Sequence, residues 1–217
     1  MTAHSLQDIA PGFVDITVQS QGVFRSALDA LARPGSIARL PSVPANPVLP
    51  RGSSAAASLL LALLDQDCSL WVSPALAAGH GAAWLRFHTG CTITCDHRTA
   101  DFVWAASFLE LPPLSDLKHG SAEYPDQSAT CVVDVVGWQL GAPTDPRAVE
   151  LRGPGIRDVL CLCVDGLDRH FVQQHHAMQL HAPCGVDIYC CSGDALMGLP
   201  RSVRLSVCDA VEAAACM

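Results

Sequence analysis

Lysine is nearly missing from this chain: Lys118 is the single one in 217 residues. A pyridoxal enzyme needs a lysine amine for its Schiff base. The one candidate sits in the polar stretch Leu117-Lys118-His119-Gly120-Ser121, with no apolar strand or phosphate-binding pattern around it. Gly-Lys-Ser/Thr does not occur, so a Walker-type phosphate loop is excluded. No strand-linked Gly-x-Gly-x-x-Gly supports a dinucleotide fold, and no Gly-x-Ser-x-Gly supports a hydrolase elbow. Long apolar runs are also missing. The longest, residues 55–64, contains one serine and falls short of the roughly 20 residues a bilayer span requires. Residues 1–9 have neither the basic start nor the apolar stretch of a secretory signal, so a cytoplasmic location is expected.

Basic charge is scarce as well. Thirteen Lys and Arg face 21 Asp and Glu, for a net charge of −8. That balance argues against a general nucleic-acid binder, which needs a basic face to displace phosphate counterions, and against adsorption to an anionic membrane. Twelve arginines remain from which a local anion site could be built. Half the residues are hydrophobic and 16% are charged, enough apolar surface for a sizeable core.

Cysteine is plentiful, with eleven residues, yet no Cys-x-x-Cys pair exists. The odd count and the lack of a secretion signal speak against a disulfide framework. Cys131, Cys161, Cys163, Cys190 and Cys191 lie in apolar runs and read as small buried hydrophobes. Cys91-x-x-x-Cys95-x-His97 approaches a metal-ligand spacing, but no second pair follows, so no metal site is expected. The histidines His170, His175, His176 and His181 read as the polar surface of a helix and its exit loop.

Residues 1–16 read as a loose lead-in, and residues 17–217 as one α/β domain. Val18, Phe24, Ala27, Leu28 and Leu31 follow a helical period over 17–32, which Arg33-Pro34-Gly35 ends. A strand over 36–40 precedes a loop with four prolines in residues 41–50. Ser53 or Ser54 can cap a helix running to Leu64. Further strands are predicted over 69–73, 101–105, 129–137, 149–152, 159–164, 186–191 and 195–199. The β-branched run of 129–137 is the clearest of them. Helices are predicted over 75–87 and 167–180. Helices and strands alternate first and strands dominate the end, the pattern of a mixed central sheet flanked by helices.

Three motifs carry the remaining chemistry. Leu151-Arg152-Gly153-Pro154-Gly155-Ile156 makes a stiff turn that either points backbone amides at an anion beside Arg152 and Arg157, or merely connects two elements. Arg86-Phe87-His88-Thr89-Gly90 closes a helix. Arg86 and His88 there either complement the helix dipole, or Arg86 contacts an anion or partner and His88 serves as a hydrogen-bond donor or proton carrier. Asp187, an acid in an apolar strand, needs a partner, and Arg201 and Arg204 are the candidates for an ion pair.

Taken in order, these segments resemble the PhnH family of the bacterial carbon–phosphorus lyase system for phosphonate use. The resemblance covers about residues 24–205. Its anchors are Phe24-Arg25 with Ala32-Arg33-Pro34-Gly35, the helix ending Leu63-Leu64-Asp65-Gln66-Asp67, and Trp84 to Gly90. Gly120 with Pro125 and Ala129-Thr130, then Leu151 to Ile156, and Gly185-Val186-Asp187 with Leu199-Pro200-Arg201 complete the set.

The resemblance implies a fold like that of pyridoxal-phosphate-dependent transferases, a homodimer when isolated, and assembly with PhnG, PhnI and PhnJ subunits. It implies a part, with PhnI, PhnG and PhnL, in displacing adenine from ATP by a phosphonate to give a ribose 1-phosphonate 5-triphosphate. Carbon–phosphorus cleavage belongs to PhnJ. The surroundings of Lys118 predict no pyridoxal phosphate, and the cysteines lack the radical-enzyme pattern of the iron–sulfur subunit, so no cofactor is expected. The chain is thus expected to be a non-autonomous subunit with no catalytic residue acting alone. The alternatives are a stand-alone nucleotide-dependent transferase and a nucleotide- or phosphonate-binding module. If an anionic ligand is bound, the expected contacts are Arg86, His88, Arg152, Gly153, Gly155 and Arg201, with Asp187 and Arg204 as a structural ion pair.

Overall fold

The computed structural model describes residues 10–41, 53–142 and 144–208. Most of the expected proline-rich loop and the start of the lead-in fall outside them. The elements are α1 (Ile16–Ala32), β1 (Ile37–Arg39), α2 (Ser54–Leu63), β2 (Ser69–Val72), α3 (Pro74–Ala77), α4 (Gly81–Thr89), β3 (Thr92–Ile93), β4 (Phe102–Ala105) and β5 (Thr130–Asp134). Then follow β6 (Trp138–Leu140), β7 (Val149–Arg152), β8 (Leu160–Val164), α5 (Arg169–Gln179), β9 (Asp187–Ser192), β10 (Ala195–Leu199) and β11 (Arg204–Val207).

Seven strands form a mixed sheet in the order β1-β10-β9-β5-β4-β2-β3. The stretch β9-β5-β4-β2-β3 is parallel, and β10 and β1 add antiparallel pairs at one edge. Side chains alternate across such strands. Val132, Tyr189, Cys191 and Leu196 therefore pack against α1, α2 and α4, while Cys131, Val133, Ile188, Cys190 and Met197 face the other way. The neighbouring cysteines Cys190 and Cys191 thus belong to opposite cores.

The mixed sheet is flanked by helices as expected, but the second face carries a further sheet besides its helix. A four-stranded antiparallel sheet, β11-β7-β8-β6, and α5 share it, burying Leu151, Leu162, Val164, Leu205, Phe171, Val172 and Met178. The molecule is an α/β domain whose mixed sheet lies between helices on one side and this second sheet with α5 on the other.

Several expectations change. The predicted strand 129–137 ends at Asp134; the chain then turns at exposed Val136 and through Gly137, which is only partly exposed, to start β6 in the other sheet. β-propensity marks extended chain but not the sheet it joins. The predicted helix 75–87 is two helices, α3 and α4, parted at Gly79 and His80.

On α1 the helix stands where expected but its face does not. Val23, Ala27 and Ala30 are buried, whereas Val18, Phe24 and Leu28 are 65%, 48% and 53% exposed. The small residues are inside because α1 crosses β10 at close range. A Cβ on Gly198 would lie 2.5 Å from the Ala30 carbonyl oxygen. α2 follows the same logic: Ser53 caps it through Ala56 N–H at 3.1 Å, and Ala55, Ala56 and Ala57 are wholly buried.

Candidate functional site

The six expected ligand contacts do not form one site. Arg86 and His88 lie on the last turn of α4, which packs on α2 and β3. Arg152, Gly153, Gly155 and Arg201 lie around the ends of β7, β10 and β11 in another part of the molecule.

At α4, Gly90 caps the helix in the left-handed conformation. The His88 ring nitrogen Nε2 is 3.0 Å from the Ala10 carbonyl oxygen, to which Trp84 Nε1 also donates at 2.8 Å. The imidazole meets Trp84 and Phe87 edge to face, with ring centroids 5.0 and 5.1 Å away. His88 thereby pins the described end of the lead-in across α4, and Phe13 beside it is buried. Arg86 and Phe87 are exposed.

The two proline-glycine motifs meet each other. Gly155, at φ +81°, turns so closely against the end of α1 that a Cβ would collide with the Ala32 carbonyl oxygen and sit 2.8 Å from Pro34 Cδ. Gly35, also at φ +81°, faces Leu160 in the same way. Gly153 packs on the Ser202 carbonyl and Val203. Arg33-Pro34-Gly35 and Gly153-Pro154-Gly155 are thus the two halves of one joint between α1 and the second sheet. Arg152 projects outward, donating to Glu150 Oε2 at 3.2 Å, and stands opposite Arg204 in the β7–β11 register.

Asp187 pairs with Arg201, not with Arg204. Arg201 Nη2 donates to Asp187 Oδ2 at 2.6 Å and Nε to Oδ1 at 3.2 Å, while the Arg201 backbone N–H reaches Oδ1 at 2.9 Å. The same guanidinium donates to the Pro125 carbonyl at 2.8 Å and to Ser128 Oγ at 2.6 Å. Most of the fork is committed to the protein, and little of it remains for a ligand. Arg204 is an exposed residue of β11.

His175, expected at the surface, is fully buried on the inner stripe of α5 with Phe171, Val172 and Met178. Neither ring nitrogen has a hydrogen-bond partner. Burial, then neighbouring His176, push its pKa down to about 4, with Asp187 opposing.

Sequence reasoning passed over Asp134, the last residue of β5. It is 8% exposed, and its Oδ1 accepts from Ser53 Oγ at 2.5 Å and Ser53 N–H at 3.0 Å. Its Oδ2 accepts from Trp104 Nε1 at 2.9 Å. Burial pushes its pKa up to about 6, against the pull of the Ser53 and Trp104 hydrogen bonds. Asp134 thereby ties the carboxyl end of β5 to the N-cap of α2. The signal in the sequence was a lone acid inside the β-branched run.

A cavity of about 580 Å³ with a mixed polar and apolar lining opens beside β6 and β8, lined among others by Gln139, Arg147, Cys163, Asp165, Asp168 and Arg169. Arg147 is held there by Asp145 through two side-chain bonds of 3.2 and 3.0 Å. None of the six expected contacts lines it. No helix among the described residues is long and apolar enough to cross a membrane.

The interlocked glycine turns and the Arg201–Asp187 clamp place the family motifs at structural joints, and whole-chain comparison agrees with the resemblance those motifs suggest. The model for "Bacterial phosphonate metabolism protein (PhnH)" matches residues 11–206, and the chain belongs to this family. It is 35% identical over 205 residues to the alpha-D-ribose 1-methylphosphonate 5-triphosphate synthase subunit PhnH of Rhizobium meliloti (strain 1021), covering 94% of this chain and 98% of that one. It is also 28% identical over 191 residues to HtxG of Stutzerimonas stutzeri, named as a C–P lyase subunit, with 87% of each chain covered.

Proposed function

We propose that this chain is a non-autonomous subunit of a carbon–phosphorus lyase core complex. In it, the chain helps to form alpha-D-ribose 1-phosphonate 5-triphosphate from ATP and an alkylphosphonate. The observation that carries the reading is end-to-end similarity to a named synthase subunit, covering 94% of this chain and 98% of that relative. The partners are PhnG-, PhnI- and PhnJ-type subunits, the isolated state is a homodimer, and the location is the cytoplasm.

The placement of the motifs supports a structural share in that work. The glycine turns and Arg201 are spent on internal joints, whereas Val18, Phe24 and Leu28 of α1 and Ile37 of the edge strand β1 leave apolar surface outside. Apolar faces of this kind mark contact with other chains. Arg86 and Arg152, both exposed, remain the contacts we assign to an anion or a partner; His88, Gly153, Gly155 and Arg201 support them from the joints described.

We also infer a pyridoxal-phosphate-transferase type of fold without its chemistry. The parallel strands flanked by α1, α2 and α4 support the fold. The chain's residues do not fit the cofactor: Lys118 Nζ is tied to Asp101 Oδ1 at 2.7 Å. A visible absorbance shifted by borohydride would overturn that statement.

The test is co-expression of the tagged chain with the other lyase subunits, followed by assay of ATP with methylphosphonate. Recovery of the partners, with turnover only when this chain is present, is the expected result. Turnover by the purified chain alone would instead make it a stand-alone transferase. Ligand binding without partner recovery would make it a binding module.

A further inference from the structure

The outer face of the second sheet gathers sulfur. β7 lies between β8 and β11, and the pairings Glu150↔Cys161 and Ser206↔Glu150 set these three residues in one row across the sheet. One step along, Cys208 N–H donates to the Ala148 carbonyl, and Cys163 follows Cys161 at the two-residue spacing of a shared strand face. Ala148, wholly buried, is small enough for the flanking cysteines to lean across it. The Sγ atoms of Cys161 and Cys208 stand 4.0 Å apart. The Glu150 carboxylate joins them: the donor atoms of Glu150, Cys161 and Cys208 all lie within 4.8 Å of one another.

We propose that Glu150, Cys161 and Cys208 form a binding site for one thiophilic divalent cation of the zinc type. Two sulfurs bound tetrahedrally to zinc at about 2.3 Å are separated by roughly 3.8 Å, and the two here are 4.0 Å apart before any ion draws them in. A disulfide does not fit the same pair. β8 and β11 are separated by β7, which sets their backbones roughly 9.5 Å apart, whereas a disulfide needs Cα atoms within about 7 Å. Cys163 stands aside, its thiol 3.5 Å from Asp145 Oδ2.

Charge closes around the ion. Two thiols and a carboxylate meet M²⁺ and release two protons, leaving a complex of charge −1. Arg152, which donates to Glu150 Oε2 at 3.2 and 3.4 Å, supplies the offsetting cation and orients the ligating carboxylate from outside. Cys208 is 4% exposed and Cys161 half-buried, so the sulfurs are shielded yet reachable. The fourth position is left to water or to a further donor. Sequence spacing hides this site, because its cysteines lie 47 residues apart and meet only through sheet register.

The test uses the full chain, reduced and freed of metal, titrated with Zn²⁺ and separately with Co²⁺. The expected result is one tightly bound equivalent by native mass spectrometry, and a cobalt spectrum with sulfur-to-metal charge transfer. Changing second-shell residues alone weakens metal sites about 10–100-fold, so Cys161→Ser or Cys208→Ser should lower affinity at least about 100-fold and abolish the charge-transfer band. Glu150→Gln, a near-isostere at a part-buried position, keeps the test open if a serine variant fails to fold. It should weaken binding at least about 10-fold, while Cys163→Ser leaves it unchanged. No stoichiometric binding to the reduced chain, binding that survives all three ligand variants, or a cobalt complex without sulfur bands would each overturn the proposal.

Discussion

Arg201 grips Asp187 side-on, with the shortest contact at 2.6 Å, and in doing so ties the start of β9 to the turn after β10 and to the Pro125–Ser128 segment. Both side chains are 21% exposed. Removing one member of such a pair strands the other with its desolvation uncompensated. Arg201→Ala should therefore destabilise the chain by roughly 3 kcal/mol. Arg201→Lys should restore only part of this, because an ammonium cannot reach the carboxylate, the Pro125 carbonyl and the Ser128 hydroxyl in one plane. Urea denaturation checks both. Wild-type stability in Arg201→Ala, with a selective loss of anion binding, would return Arg201 to the ligand site.

The joint between Gly155 and the Ala32 carbonyl makes a second prediction. A methyl group at Gly155 meets backbone as well as a left-handed φ of +81°, so nothing nearby can rotate away. At Gly35 the obstacle is the Leu160 side chain, which can rearrange. Gly155→Ala should cost more than Gly35→Ala, each exceeding about 1 kcal/mol. The double variant should fall short of their sum, because both loosen one interface. Thermal melts of the three variants decide it.

These two joints show what the sequence made legible. Local signals gave the helix at α1, the cap at Ser53, the buried strands and the need of Asp187 for a partner, because period, capping chemistry and desolvation act over a few residues. What failed needed distance. Nothing near Arg204 or Arg201 says which of them reaches Asp187, and nothing within 129–137 says that the chain changes sheets after Asp134. The face of α1 was misread because larger residues were assigned to the core, while the helix crosses Gly198 closely at Ala30 and buries Val23, Ala27 and Ala30 instead. His175 was misread for the converse reason: its position on the inner stripe of α5 outweighed its polarity. Cys131, Cys190 and Cys191 are buried as expected, but the meeting of Cys161 with Cys208 is a property of strand register.

Asp134 and His175 should pull stability in opposite directions over one range of pH. Asp134 titrates at about 6 in the fold, above its ordinary 3.8, so the folded state holds the proton more tightly. Its contribution is complete at low pH and is lost as pH rises from about 4 through 6. His175 titrates at about 4, below its ordinary 6.5, so its contribution is complete above 6.5 and is lost as pH falls through 4. Each is worth about 3 kcal/mol, and in the wild type they largely cancel between pH 4 and 6. Asp134→Asn should expose the histidine and make the protein steadily weaker on acidification over that range. His175→Phe should do the reverse. Urea midpoints at half-unit steps of pH read the slopes directly, and parallel profiles for the two variants would contradict the assignment.

The exposed side of α1 offers the sharpest separation of folding from assembly. Val18, Phe24 and Leu28 are exposed while Val23, Ala27 and Ala30 are buried, so charges placed at the exposed positions can reach solvent. Phe24→Asp with Leu28→Asp should leave stability within about 0.5 kcal/mol per site, the usual range for surface changes. If this face meets another chain, the same variant should sediment as a monomer, or fail to recover partner subunits in co-purification, while keeping its melting curve. The two readouts distinguish the self-interface from the interface with other subunits, since a monomer that still recovers its partners places the homodimer contact here and the complex contact elsewhere. An unchanged oligomer with full partner recovery would remove α1 from both interfaces and leave its apolar side without an assembly role.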